Sequence, residues 1–221
     1  MIRKLENISP QQMEKIRKTI GEAFVSNELF HNWGSEAERR GDVLKYMSVY
    51  VDYVYGAGEL YANKDMTGFI GLEDSAHAPV FPRIRMILRL FRAIPYKRIK
   101  SFLQFANQIS RANEKYAKQR HLDALMVCVD KDHQGKGIAS ELVLFAKETS
   151  DRLGIPLLFD TDMKAYADMY RHFGCELYNT VTAVNGVTRY SLCYFKDASA
   201  DAGRSSPHCL LVHFHRLLQS A

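Results

Sequence analysis

The stretch "DHQGKGIAS", Asp132–Ser140, sets two glycines around a lysine between segments of different character. Before it runs "LDALMVCV", residues 122–129, apolar and β-branched, which reads as a strand. After it, Ile138, Leu142, Phe145, Ala146, Thr149 and Leu153 recur at helical spacing, up to a stop at Gly154-Ile155-Pro156. The order strand, bare turn, helix has a physical consequence. A helix start presents N–H groups without intrahelical partners, and the aligned peptide dipoles add roughly half a positive charge there. Glycines admit positive φ and let a ligand approach the backbone. Lys136 adds a cation. Together these make an anion site, most naturally for a phosphate or pyrophosphate. A tight βα turn without a ligand is the plainer alternative. The stretch is not a GxxxxGK[ST] loop, and Ser140 stands where G-x-G-x-x-G would place its third glycine.

With 221 residues, the chain can build one substantial core. Its net charge of +5 suits an anionic ligand but does not by itself argue for nucleic acid. Cys128, Cys175, Cys193 and Cys209 form no CxxC pair, and the first three lie in apolar surroundings. They read as reduced core cysteines of a cytoplasmic protein. His213 and His215 could bind a metal as a pair, but two ligands make no site, so no metal is expected. The N-terminal "MIRKLENISPQQ" lacks the apolar run of a signal peptide, and the absence of a long apolar stretch predicts no membrane span.

Outward from the turn, "MIRKL" reads as an opening strand, and Ser9-Pro10-Gln11-Gln12 as a capping box starting a helix through Phe24. A second helix is predicted from about Ser35 to Val54, with Gly56 as its stop, then strands in "GELYAN" and "TGFIGLED". Pro79 to about Lys118 has helical spacing broken at Pro95, with no acidic residue between Ser75 and Asn113. After the turn and its helix come a strand in "PLLFDTD" and a short helix in "KAYADMYRHF". A hairpin follows, with Asn185-Gly186 suited to a two-residue turn. From Asp197 the chain turns small and polar, a linker ahead of an apolar tail.

Gln134-Gly135-Lys136-Gly137-Ile138-Ala139 resembles the Q/R-x-x-G-x-G/A signature of the GNAT (Gcn5-related) N-acetyltransferase superfamily, and Tyr170–Cys175 resembles its Y-x-x-x-G-F segment. The resemblance covers roughly residues 1–196 as one domain, leaving residues 197–221 as a tail. It implies an α/β (α+β) fold. The central sheet is mixed and mostly antiparallel, flanked by helices, with a helical insert at about 75–118 before the acetyl-CoA-binding strand. It also implies acetyl-CoA as cosubstrate. The pyrophosphate would lie on Gly135, Lys136, Gly137, Ile138, Ala139 and Ser140, with Gln134 opening the loop. The pantetheine arm would pair with Val127, Cys128 and Val129. Tyr170 matches the family's acid toward the leaving thiolate, since a phenol is protonated at neutral pH. Asp123 is the candidate base, an acid in an otherwise apolar strand that is costly unless it faces a cleft or a partner and whose burial would raise its pKa; a strand-edge Asp in solvent, or one paired with a basic residue, is the plainer alternative. Glu73, Asp74 and a water relay are its rivals. A nucleophilic Cys128 is the sharper alternative for that strand. Two positions depart from the family: Met163 where Asn is frequent, and Cys175 where Phe is usual.

The resemblance therefore implies an N-acetyltransferase acting on a primary amine of a small molecule. A protein N-terminus or lysine is the next acceptor, and a non-catalytic acyl-CoA sensor is the rival class. No nucleic acid is expected as partner. The basic insert reads first as a helix pair that lids the acceptor cleft with its apolar stripe packed on the core, next as a site for an anionic acceptor or the CoA 3′-phosphate, and last as a membrane or nucleic-acid surface. A homodimer stays open. His31, Trp33, Tyr46, Tyr50 and Tyr53 offer either an aromatic acceptor wall or simply a helix core.

Overall fold

The computed structural model describes residues 1–57, 59–100, 102–104, 108 and 119–196. Strand β1 (Ile2–Lys4) leads to helix α1 (Pro10–Phe24). The Gln12 N–H donates to the Ser9 hydroxyl and the Ser9 N–H to the Gln12 side chain, so the expected capping box is complete. Helix α2 (Glu36–Gly56) starts on a second box, Ser35 with Glu38. Strands β2 (Leu60–Asn63) and β3 (Gly68–Asp74) follow. Helix α3 (Val80–Ala93) ends ahead of Pro95, and helical backbone resumes over residues 96–100. Strand β4 (Leu122–Val129), helix α4 (Ile138–Leu153), strand β5 (Leu157–Thr161), helix α5 (Lys164–His172) and strands β6 (Glu176–Thr182) and β7 (Thr188–Tyr194) complete the order. Much of the predicted second half of the insert, and the tail with Cys209, His213 and His215, lie outside the described residues.

The seven strands form one sheet in the order β1-β2-β3-β4-β5-β7-β6. Every neighbouring pair is antiparallel except β4 and β5. The fold is thus mixed α/β, as expected. The two faces of the sheet are covered by different helices. Phe69 of β3 belongs to the cluster holding Ile16 and Ile20 of α1 and Val43 and Met47 of α2. Its neighbour Ile70 belongs to the cluster holding Leu142 and Ala146 of α4 and Ala167 of α5. Successive strand residues point to opposite faces, so one strand joins both cores. Each such fully buried side chain stabilises by about 1.5–3 kcal/mol before the cost of chain ordering is subtracted.

Three details of this frame shape the site. Gly68 lets α4 approach: a Cβ there would lie 2.3 Å from the Ile138 Cγ2. The β3–β4 register shifts between Gly71, opposite Met126, and Leu72, opposite Ala124, so Leu125 is an extra residue in β4. Finally, β4 pairs with β5 only from Leu122 to Ala124. Elsewhere the β6–β7 hairpin corrects the expected two-residue turn. Ala183 and Val187 close around Val184-Asn185-Gly186, and only Gly186 of these takes positive φ. A type I′ turn needs positive φ at both central residues, which Asn185 does not adopt.

Candidate active site

Beyond Ala124 the strands β4 and β5 part, and the edge of β4 that would have faced β5 opens into a cavity of about 700 Å³. Leu125, Met126, Val127, Cys128 and Val129 line one wall. The bulge is tied by α2, whose Tyr50 hydroxyl donates to the Leu125 carbonyl at 3.1 Å. A parted parallel pair leaves backbone donors and acceptors without strand partners, ready to pair with an extended, amide-bearing ligand.

At the end of β4 the chain enters the glycine turn. Gly135 and Gly137 take φ of 75° and 81°, the left-handed region that favours glycine. Gly137 is the N-cap of α4 and offers no side-chain cap. The first intrahelical bond from this end is the Glu141 N–H to the Gly137 carbonyl. The N–H groups of Ile138, Ala139 and Ser140 therefore point out of the helix start without an intrahelical acceptor, at its positive pole. The exposed turn is held in shape by Asp130, which accepts from the Asp132 N–H and contacts the His133 Nδ1 at 2.9 Å. Lys136 folds back, its Nζ donating to the Asp132 carbonyl at 3.0 Å. Gln134, at the start of the turn, lines the cavity.

At the start of β4, beside the backbone wall, sits a cluster of ionisable groups. Asp123 and Glu73 face each other directly across β4 and β3. Like charges so placed repel, and each needs its own compensation. Glu73 is buried; the Tyr53 hydroxyl donates to it at 2.6 Å and the Arg83 guanidinium at 2.7 Å. Asp74 is held by Arg120, whose two-nitrogen grip pushes its carboxyl well below the usual range. Of these three acids, Asp123 alone lines the cavity. Its side chain is 39% exposed, so of the expected settings the fold provides the cleft-facing one rather than full burial.

Asp123 instead has a partner that the sequence reading passed over. His121 Nε2 lies 3.2 Å from the Asp123 Oδ2, and its Nδ1 lies 2.6 Å from the Gln119 carbonyl. A carbonyl accepts only from an N–H, so Nδ1 carries a proton. Nε2 then faces a carboxylate and needs a proton as well. The bond to Asp123 accordingly raises the His121 pKa against the opposing effect of burial. The signal was available in the sequence, since His121 stands two residues before Asp123, at the entry to β4.

Tyr170 also lines the cavity. It is buried, its ring stacked on Phe159 at 4.3 Å, and burial raises its pKa, so the hydroxyl keeps its proton at neutral pH. Cys128 is buried too, and burial pushes its thiol up to about 12, the opposite of what a nucleophilic cysteine needs. Met163 and Arg189 complete this side. Arg189 donates to both oxygens of Asp162, at 2.6 and 3.0 Å, a bidentate pair between residues far apart in the chain. Of the aromatic residues singled out in the sequence, Tyr46 and Tyr50 line the cavity. Trp33 packs in the core against Phe30 and Tyr46, and His31 and Trp33 belong to a short 3₁₀ turn, Glu28–Trp33, rather than to α2. Among the described residues, no three His, Cys, Asp or Glu side chains gather into a metal site, and no helix is long and apolar enough to cross a membrane.

Residues 104–175, from the insert through the glycine turn to the end of α5, match the family model of the acetyltransferase (GNAT) domain. That matched segment is about a third of the chain and is similar to the GNAT acetyltransferase domain. The fold agrees. It is similar to the histone acetyltransferase HPA2 and related acetyltransferase from Corynebacterium glutamicum, at 10% identity and a TM-score of 0.60, over 90% of this chain and 98% of that one. It is similar to the mosquito arylalkylamine N-acetyltransferase like 5b, at 11% identity and a TM-score of 0.56, over 89% and 99%. It is likewise similar to an agmatine N-acetyltransferase, at 13% identity and a TM-score of 0.56, over 89% and 99%. No curated protein matches the chain in sequence. At such identities the solved structures speak for the GNAT fold alone. The parted strands, the bulge and the capless helix start are features of this chain's own backbone.

Proposed function

We propose that this protein is an acetyl-CoA-dependent N-acetyltransferase that acetylates a primary amine of a small molecule. The observation that carries the reading is the parted β4–β5 pair running directly into a helix start with no side-chain cap. An extended chain of amides ending in a pyrophosphate suits that shape: strand-like pairing along one stretch, then a cluster of free N–H groups. In this reading Val127, Cys128 and Val129 pair with the pantetheine arm. The turn from Gln134 through Gly135, Lys136, Gly137, Ile138 and Ala139 to Ser140 holds the pyrophosphate.

Bound acetyl-CoA supplies an activated acyl carbon; everything else falls to the chain. Attack needs a neutral amine, whereas a primary amine in water is an ammonium ion. Asp123 attracts that cation and accepts its proton, directly or through one water. His121 fixes the carboxylate by its Nε2 contact and leaves the other oxygen, Oδ1, for the acceptor. Glu73, held by Tyr53 and Arg83, is a positioning residue and keeps its charge out of the reaction. The backbone N–H groups around the bulge stabilise the oxyanion. Tyr170, neutral and buried against Phe159, donates a hydrogen bond or proton to the departing sulfur.

The cavity, at about 700 Å³, lies within the range of small-molecule sites. Tyr46, Tyr50 and Phe102 give it apolar and aromatic walls beside Asp123, while the other two acids of the lining, Asp160 and Asp162, are bonded to Arg189. Those walls favour a compact amine over a polypeptide N-terminus or lysine. The same surroundings favour an acceptor that brings an apolar body behind its amine. Calorimetric titration with acetyl-CoA tests the foundation. Micromolar binding, retained by desulfo-CoA and weakened in ADP, is expected. No heat at millimolar ligand would withdraw the proposal.

A further inference from the structure

We infer that the outer face of α3 is a docking surface for an anionic lipid bilayer. In a domain whose other long helices bury an apolar stripe, α3 buries no residue fully. Val80, Phe81, Ile84, Ile87, Leu88 and Phe91 are all exposed, Phe81 to 85% and Leu88 to 54%. At 3.6 residues per turn, these six fall within a single arc of about one third of the helix circumference. Two arginines, Arg85 and Arg92, border the arc. Beyond the helix, Lys97 and Lys100 continue the positive charge, and Tyr96 is 70% exposed. Among the described residues none of these four cations has a carboxylate within ion-pair distance. By contrast, Arg83 on the inner side binds Glu73, and Arg89 binds Asp52 of α2. The helix therefore spends two arginines anchoring itself to the domain and presents the rest outward.

Charge decides the occupant. From Ser75 to Asn113 the chain has no acidic residue, so nothing local neutralises the face. A second copy would set arginines against arginines. Residues 204–221 of the tail are also without an acid and would bring the same repulsion. The occupant must be anionic. It must also accept a broad apolar strip, and the layout distinguishes a bilayer from a nucleic acid. Phosphate-backbone binding wants cations at the centre of the contact. Here the centre is aliphatic and aromatic, and the cations stand at the margin. That is the arrangement of a helix lying in the headgroup plane, with its apolar arc in the acyl boundary and its guanidiniums among the phosphates. With 14 residues, α3 is about 21 Å long, too short to span the hydrocarbon layer, so it lies along the surface. Its first turn carries Arg83, which lines the cavity, so the docked domain would open its cavity near the lipid surface.

The test is flotation of the full-length protein with two kinds of vesicle: phosphatidylcholine alone, and equal parts phosphatidylcholine and phosphatidylserine. The protein should float with the anionic vesicles, stay behind with the neutral ones, and release as salt is raised. Arg85→Gln with Arg92→Gln should weaken anionic binding by about 30-fold, the loss of two surface cations. Phe81→Ser with Leu88→Asn should weaken it at least as much, with an unchanged melting temperature, because both side chains are exposed. Several results overturn the inference. These are no flotation with anionic vesicles, equal flotation with both kinds, or flotation indifferent to both double variants. A dimer in ultracentrifugation that only the apolar pair dissolves would also overturn it, as would tighter binding to a DNA duplex lost with the arginine pair.

Discussion

Replacing Gly137 separates the two things the glycine turn is claimed to do. The residue sits at φ 81° as the N-cap of α4, and a Cβ there would meet nothing within 4 Å. A side chain at this position therefore costs backbone strain but no collision. For alanine that strain is about 1 kcal/mol, a fall in Tm of about 2–4 °C for a chain of this size. Asparagine and aspartate tolerate the left-handed region better and equally well, so Gly137→Asn and Gly137→Asp share one backbone cost. They differ by a single negative charge beside the helix start. A carboxylate roughly 5 Å from a doubly charged pyrophosphate, in a largely aqueous turn, opposes binding by about 2–3 kcal/mol. That is a further loss of about 30–150-fold in affinity. Calorimetric titration of wild type and both variants with acetyl-CoA measures it, and thermal melting supplies the strain control. Equal affinities for Asn and Asp variants would refute an anion at this turn. Full wild-type affinity in both would show that no ligand approaches the backbone here.

Gly68→Ala should lower stability by about 2 kcal/mol, because its Cβ would drive 2.3 Å from the Ile138 Cγ2; adding Ile138→Ala should recover part of the melting temperature. Asp123→Asn should cut kcat by about 10²-fold or more and flatten the rise of the pH–rate profile; an unaltered profile removes Asp123 as base. Tyr170→Phe should lower kcat while leaving the acetyl-CoA KM nearly unchanged, and an unchanged kcat ends its role as acid. His121 has a raised pKa in the folded protein, so its bond to Asp123 stabilises fully below the ordinary histidine pKa and fades as pH rises through the folded value. The Tm advantage of wild type over His121→Gln should thus be largest in mild acid and shrink toward alkaline pH. A gap constant with pH would show that the contact holds no proton.

Local chemistry made the frame readable in advance. Ser9-Pro10-Gln11-Gln12 carries a helix start signal of its own, and Pro95 breaks the helical run ahead of it. "DHQGKGIAS" announced a helix start bare of side chains because its glycines allow little else. What escaped was produced by pairing between distant segments. No periodicity in "LDALMVCV" reveals that Leu125 is extra, since the bulge exists only against β3, or that β5 leaves after Ala124. Arg189 meeting Asp162 and Arg83 meeting Glu73 are likewise products of the sheet order. Asp123 was found as an anomaly in an apolar strand, an acid that asks for a cleft or a partner; it has both, the cavity and His121, and its side chain is partly exposed rather than buried. The hairpin shows the limit of dipeptide rules, because Ala183 and Val187 close a longer loop around Asn185-Gly186 than the pair alone calls for.

The most direct test of the central claim is amine-dependent turnover by the wild-type protein. Purified protein, acetyl-CoA and a panel of compact primary amines are mixed. Released thiol is followed while the acetylated amine is counted by mass spectrometry. The account predicts that at least one amine with an apolar body yields thiol and N-acetyl product one for one, and that Asp123→Asn suppresses both together. Tight acetyl-CoA binding with no amine-dependent thiol release anywhere in the panel would contradict it and leave a binding protein on a GNAT fold.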